Sequence, residues 1–247
     1  MADSLSGKSA FVAGASRGIG RAIAEEYADR GADLAVAARS VSELEDLAAS
    51  VPTECVPVEC DLRDGESVER AVATATDALG AVDVVVNSAG TISRGRLHEA
   101  DDEDLAFVLD VNLLGALRVS KHALPSLMET EGSLIHVSSE AGSVGVPDLP
   151  AYCASKGGLD ALVRQLAVDY GSDGVSVTAI APGTTKTSMN EAVRERDPSW
   201  VSERAEEIPY GRLGKPEDVS DLAAFLARDQ SEYLTGEVIH LDGGSTA

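Results

Sequence analysis

The turn Gly14-Ala15-Ser16-Arg17-Gly18-Ile19-Gly20 constrains this chain more than any other stretch. It follows the apolar run Ser9-Ala10-Phe11-Val12-Ala13 and precedes an alanine-rich helical stretch, 19–30, that stops at Gly31. Strand, glycine turn, helix and helix stop form the opening of a βαβ unit. The three glycines have separate uses in such a unit. Gly14 permits a tight turn, Gly18 lets backbone approach a pyrophosphate, and Gly20 allows close packing of the helix. The helix N-terminus then turns its free N–H groups toward the phosphates, with Ser16, Arg17 and Ile19 in the same cradle.

Short β-rich runs recur at 34–38, 55–58, 82–87, 133–137, 176–181 and 238–241, with helical stretches at 41–50, 65–78, 101–127, 151–170 and 216–228. Near-continuous apolar strands alternating with helices predict a parallel sheet covered on both faces. The expected fold is α/β: a doubly wound parallel sheet of Rossmann type with right-handed crossovers. A chain of 247 residues, 44% hydrophobic, fits one domain spanning 1–247. Segment 184–212 interrupts the alternation as a charged, irregular stretch holding Pro198 and Pro209. Long insertions of this kind are functional or disordered.

Chemistry concentrates in Ser139, Tyr152 and Lys156. The last two are four residues apart in a helical stretch, so their side chains leave the same face. A tyrosine hydroxyl titrates near pH ~10 in isolation, and a neighbouring ammonium favours the phenolate. Ser139 supplies a hydroxyl able to hold a substrate oxygen against that phenol. At the end of the second strand the chain reads Ala37-Ala38-Arg39-Ser40. A ribose with two free hydroxyls calls for a carboxylate there, whereas a 2′-phosphate calls for a cation. Ala38 and Arg39, with Arg17 in the glycine turn, therefore favour NADP over NAD.

These motifs stand in order with Asn87-Ser88-Ala89-Gly90, Val111-Asn112, Val137-Ser138-Ser139, Tyr152-Cys153-Ala154-Ser155-Lys156 and Ala181-Pro182-Gly183. Over 8–244 the chain resembles the short-chain dehydrogenase/reductase family. The resemblance implies that Tyr152 is the general acid/base and that Ser139 positions the reacting oxygen. It implies that Lys156 holds the nicotinamide ribose and lowers the Tyr152 pKa, and that the Asn112 region closes a water-linked proton relay. A buried amide bridging backbone is the alternative for Asn112. Asp61, with Leu62 beside it, matches the adenine-contacting position, although a helix cap is an equal reading of that aspartate. Asn87, Ala89 and Gly90 match the cofactor side of the fourth strand. Pro182, Gly183, Thr185 and Thr187 match the segment on the carboxamide side of nicotinamide, with a capping role as the alternative for Thr187. Ser88 and Ala13 depart from the family's more usual Asn and Thr, which removes a hydroxyl that in relatives ties two loops together.

By the same resemblance, 184–212 is a substrate lid and the assembly is a homotetramer using the helices near 104–127 and 151–170 and the C-terminal strand. The implied reaction moves hydride between NADP(H) and a ketone/secondary-alcohol pair, the small-molecule partner. The pattern is similar to that of 3-oxoacyl-thioester reductases and also of sugar and polyol dehydrogenases; a catalytically idle NADP-binding scaffold or sensor is the alternative of another class. Carrier-protein reductases present basic residues where this chain has Glu129-Thr130-Glu131 and Asp173.

Composition narrows the remaining possibilities. Forty-two acidic residues against 20 basic ones give a net charge of −22, a field that repels nucleic-acid backbones and anionic membranes. Only five of the basic residues are lysine, and the acids spread over the whole chain. The pattern resembles that of proteins from salt-accumulating organisms such as haloarchaea, whose solvent screens self-repulsion. No apolar run reaches ~18 residues and no signal-peptide region follows Met1-Ala2-Asp3-Ser4, so a cytoplasmic location is expected. Cys55 and Cys60 fall on opposite faces of a strand, and Cys153 reads as a small buried helix residue. These cysteines and the scattered His98, His122, His136 and His240 lack the spacing of a metal site.

Overall fold

Each apolar run becomes a strand in the computed structural model, which describes residues 4–247. The strands are β1 Ser9–Ala13, β2 Asp33–Ala38, β3 Cys55–Glu59, β4 Val84–Asn87, β5 Ser133–Val137, β6 Ser176–Pro182 and β7 Val238–Leu241. All are parallel, in the order β3-β2-β1-β4-β5-β6-β7. The long helices are α1 Gly18–Asp29, α2 Val41–Ser50, α3 Gly65–Leu79, α4 Asp102–Leu109, α5 Gly115–Thr130 and α6 Pro150–Tyr170. Two short helices, α7 Glu191–Arg196 and α8 Trp200–Glu207, precede α9 Pro216–Leu226.

Side-chain alternation along these strands builds two apolar layers. Register sets Val12 beside Val36 and Val86, and these pack with Ile135 and Ile180 against Ile23 and Tyr27 of α1 and Ala223 of α9. The phenol of Tyr27 is buried there and donates to the Ala223 carbonyl at 2.9 Å, which satisfies its polar end. Phe11, Val85, Leu134 and Val177 face the other way, against Val68 of α3, Val119 of α5 and Val163 of α6. Each such side chain taken from water stabilises the fold by ~1.5–3 kcal/mol, so both faces of the sheet hold it together.

Three expectations need correction. Residues 101–127 are not one α-helix: between α4 and α5 the chain widens into a π turn, Asp110–Leu114, that contains Asn112. Segment 184–212 is less irregular than its charge suggests, because α7 and α8 lie within it. Pro198 falls between those helices and Pro209 follows the second, both outside helix interiors. Cys55 packs on the first apolar layer and Cys60 lies in the second, on opposite faces, while Cys153 is half-buried rather than buried. Among the described residues no group of His, Cys, Asp and Glu could hold a metal ion, and no helix is long and apolar enough to cross a membrane.

Because the strands share one direction, their carboxyl ends form a single rim. The loops that carry Gly14, Arg39, Asp61, Asn87, Ser139 and Pro182 all leave the sheet there.

Candidate active site

Strand order reverses between β1 and β4, and the loops leaving their carboxyl ends part to leave a cleft of about 420 Å³. Gly14 holds φ +82°, and a Cβ built on it would stand 2.6 Å from the Ala89 nitrogen. The two loops can touch only because that position has no side chain. Gly18, at φ +60°, would meet nothing nearer than Thr187, 3.6 Å away, so its backbone faces open cleft at the start of α1. This geometry fits a phosphate-bearing ligand on the helix N-terminus. The β1–β4 ladder runs on into this loop, where the Ser88 N–H donates to the Ala13 carbonyl at 2.9 Å.

Gly14, Ser16, Arg17, Gly18, Ile19, Gly20, Arg39, Asp61, Leu62, Ala89, Gly90 and Thr187 all line the cleft. Arg17 and Arg39 are exposed, and neither forms an ion pair among the described residues. Asp61 is held by the Arg63 guanidinium at 2.6 Å and accepts the Arg63 N–H, which together keep its carboxyl below the usual range. The cap of the following helix is not Asp61 but Asp64, whose carboxylate accepts the Glu66 N–H. Leu62 is fixed through its carbonyl, which accepts from Arg118 at 2.8 Å.

Other expected residues stand behind the lining. Asn87 is buried with its side-chain oxygen on the Ala89 N–H. Pro182 ends β6, and Gly183 continues that strand's pairing through a backbone bond to Leu241. Thr185 is buried and donates to the Gly183 carbonyl at 3.0 Å, so its hydroxyl braces the loop. Thr187 caps the following turn in a reciprocal box with Asn190, while its side chain also reaches the cleft. Glu43, Thr91, Ile92, Phe107 and Met189 were not anticipated from sequence but line the cleft too, as does Val111 of the Val111-Asn112 motif. Phe107 stands four residues before Val111, so sharing one face of the 101–127 stretch with it was its only signal.

Ser139 leaves the end of β5, and Tyr152 and Lys156 project from the first turns of α6. Lys156 is 3% exposed and its ammonium donates to the Val137 carbonyl at 2.8 Å. A Cβ on Gly90 would lie 3.8 Å from that ammonium and 3.6 Å from the Asn112 oxygen, which joins this group to the far end of the cleft. Burial depresses the Lys156 pKa to about 8, against the opposing pull of Asp160. The Tyr152 phenol moves contrary to expectation: burial pushes it above its ordinary value, and the relief comes from a Ser139 hydrogen bond rather than from Lys156. The Lys156 ammonium stands over the Tyr152 ring, 5.8 Å from its centroid. Asn112 is buried in the π turn, with its amide bridging both backbone groups of Thr91 and the Ser155 hydroxyl at 2.8–3.1 Å.

A family described as enoyl-(acyl carrier protein) reductase matches residues 14–246. The chain is 39% identical to the oxidoreductase UcpA of Salmonella typhimurium, over 98% of this chain and 95% of that one. A solved short-chain type dehydrogenase/reductase from Mycobacterium marinum superposes with a TM-score of 0.92 at 31% identity, covering 99% and 98% of the two chains. The chain belongs to the short-chain dehydrogenase/reductase family.

This short-chain dehydrogenase/reductase is also 34% identical to the 3-oxoacyl-(acyl-carrier-protein) reductase FabG of Vibrio cholerae, over 97% of this chain and 98% of that one. The 2-(S)-hydroxypropyl-CoM dehydrogenase 3 of Xanthobacter autotrophicus is 34% identical over the full length of both. The chain is therefore an oxidoreductase, and its Rossmann cleft binds a nicotinamide cofactor. The residues present fit such a ligand: open backbone at Gly18, cations at the outer end and a buried ammonium at the inner end.

Proposed function

We propose that this short-chain dehydrogenase/reductase uses NADP(H) to reduce a ketone, best a short 3-oxoacyl thioester carried on coenzyme A, and in reverse oxidises a secondary alcohol. One observation carries the reading. The buried Lys156 ammonium, which stands over the Tyr152 ring, lies 3.8 Å from where a Cβ on the cleft residue Gly90 would be, and the same cleft is lined by Arg17 and Arg39, neither of them in an ion pair among the described residues. Bound NADPH would supply hydride. Ser139 and Tyr152 hydrogen-bond the ketone oxygen, and Tyr152 gives up its proton as negative charge develops. A phenol held above its ordinary pKa is protonated at neutral pH, which suits a proton donor in reduction. Lys156 keeps one N–H on Val137, leaving two for ribose hydroxyls. Arg39 and Arg17 take the 2′-phosphate as charge-assisted partners. Asn112, with both amide hydrogens engaged, braces the Thr91 loop against α6.

Coenzyme A is favoured over a carrier protein because the expected docking face is acidic. Glu129, Glu131 and Asp173 are exposed, and the Glu131 side chain lies against Gly174 next to Asp173. Like charges across an interface penalise an acidic partner. We read 184–212 as the substrate lid. Leu109 at the end of α4, Leu114 in the π turn and Leu117 on α5, with Val168 on α6, present apolar surface in keeping with a homotetramer.

A second reading, a sugar or polyol dehydrogenase, is favoured by Glu140. That carboxylate is half-buried near Tyr152, has no hydrogen-bond partner among the described residues, and could accept from substrate hydroxyls. A spectrophotometric panel at high salt separates the readings. It follows NADPH with acyl-coenzyme A, acyl-carrier, keto-sugar and simple ketone substrates, and NADP with sugars and polyols. Preferred turnover of 3-oxoacyl-coenzyme A supports the proposal. Strong carrier-linked turnover overturns the docking argument, sugar oxidation with inert thioesters selects the second reading, and tight NADPH binding without turnover selects an idle scaffold.

A further inference from the structure

Behind the reaction centre, one turn of α6 beyond Lys156, stands a carboxylate with no part in the chemistry above. Tyr152, Lys156 and Asp160 follow one another at four-residue steps, so all three lie along one face of α6. Asp160 is 3% exposed. Its Oδ1 accepts the hydroxyl of Ser138 at 2.5 Å, and Ser138 is itself 3% exposed and immediately precedes Ser139. Its Oδ2 abuts Gly142, where a Cβ would overlap the carboxylate and come within 3.1 Å of the Lys156 backbone. The turn 138–142 is thus clasped to α6 at both ends, with Ser139 between the clasps.

Burying a carboxylate so deeply is unfavourable unless charge and hydrogen bonds compensate. Burial holds the Asp160 carboxyl above its ordinary range, opposed by the Ser138 hydroxyl just after β5, by Arg164 and Lys156 on α6 and by His240 on β7. Lys156 has the converse need, because the described group that favours its charged form is Asp160. His136 lies on the other side and is held neutral by burial and by Lys156, so it offers no competing charge.

We propose that Asp160 is a positioning residue for the reaction: through Ser138 it fixes the Ser139 turn to the helix that bears Tyr152, and its carboxylate, one turn along α6, favours the ammonium form of Lys156. The proposal rests on the roles given to Ser139, Tyr152 and Lys156 under the proposed function.

Two variants divide the two tasks. Asp160→Asn keeps an acceptor for Ser138 but removes the charge. Loss of this negative charge lowers the pKa of Lys156, so the high-pH limb of the kcat/KM profile moves to lower pH, by about half a unit or more. A residue with a merely structural task would leave that limb where it is. Ser138→Ala keeps the charge but removes the tie. Its kcat falls about tenfold or more while NADPH affinity, read by fluorescence, is unchanged, because only the oxygen-holding hydroxyl is loosened. An unmoved limb in the first variant, or a parental kcat in the second, overturns the proposal. Tyr152→Phe run in parallel keeps the two readings apart: if it retains activity, the assigned site is wrong, whereas if it is inactive and Asp160→Asn behaves as the parent, only the role of Asp160 is lost. Should Asp160→Asn fail to fold, Ser138→Ala still decides whether the tie exists.

Discussion

His136 shows how a single residue can link stability to pH without touching substrate. The Ser120 hydroxyl donates to the Ala116 carbonyl at 2.8 Å, so it accepts from His136 Nε2–H, leaving the buried Nδ1 without a partner. Burial, aided by Lys156, pushes the His136 pKa down to about 3. In an unfolded chain a histidine titrates near ~6.5, so between that pH and about 3 the unfolded state binds one proton more. Stability therefore rises with pH across that window and falls as pH drops through it, by about 1.4 kcal/mol per pH unit from this group. His136→Asn should flatten the pH dependence of urea unfolding between about pH 4 and 6 by roughly one proton; an unchanged slope would show that the ring is charged in the fold. Tyr152→Phe should lower kcat by about 10²-fold or more while NADPH binding persists, since only the proton donor is removed. Arg39→Ala should cut the preference for NADP over NAD by roughly ten- to 150-fold in kcat/KM, the worth of a charge-assisted hydrogen bond of ~1.5–3 kcal/mol; a variant that keeps its preference would place phosphate recognition elsewhere. Ser139, Tyr152, Lys156 and the glycine turn were legible because spacing and order carry them. His136 was not, because a lone histidine in an apolar strand has no pattern that distinguishes it.

Strands and helix-bearing segments were legible as elements because period-2 and period-3.6 patterning match what the sheet buries. The π turn at 110–114 was not, since one extra residue per turn leaves the apolar pattern of 101–127 nearly continuous across it. Nor were α7 and α8 visible within 184–212, because both lack buried residues and charge hides their periodicity. The structure gives the π turn a local reason. Widening occurs where Asn112 points inward to hold both backbone groups of Thr91, so the loop after β4 and the helix share one amide. Asn112→Ala leaves those two groups unpaired and should destabilise the chain by about 1–3 kcal/mol in urea unfolding, with a weaker hold on NADPH because Thr91 lines the cleft. Parental stability would mean that water takes over the amide's partners.

At the scale of the whole molecule, charge dominates. Net −22 over 247 residues implies strong self-repulsion, and the Debye length shrinks from ~10 Å at 0.1 M salt to ~3 Å at 1 M. Melting temperature and activity should both rise from low salt toward molar potassium or sodium chloride; a melting temperature that is flat or falls with salt would remove the reading of this surface as one suited to brine. Fold class was legible at this scale from the alternation of elements, whereas assembly was not, because exposed leucines on α4 and α5 read the same in a sequence whether water or another subunit covers them. The common direction of the seven strands has a practical side. The loops that leave β1, β2, β3, β4 and β6 at the carboxyl rim line the cleft, while the turns at the other rim, around Gly31, Gly80 and Gly174, lie at the opposite ends of the strands. A linker to a bead, an electrode or a second enzyme attached at one of those turns would hold the molecule by its idle side and leave the cleft open to solution.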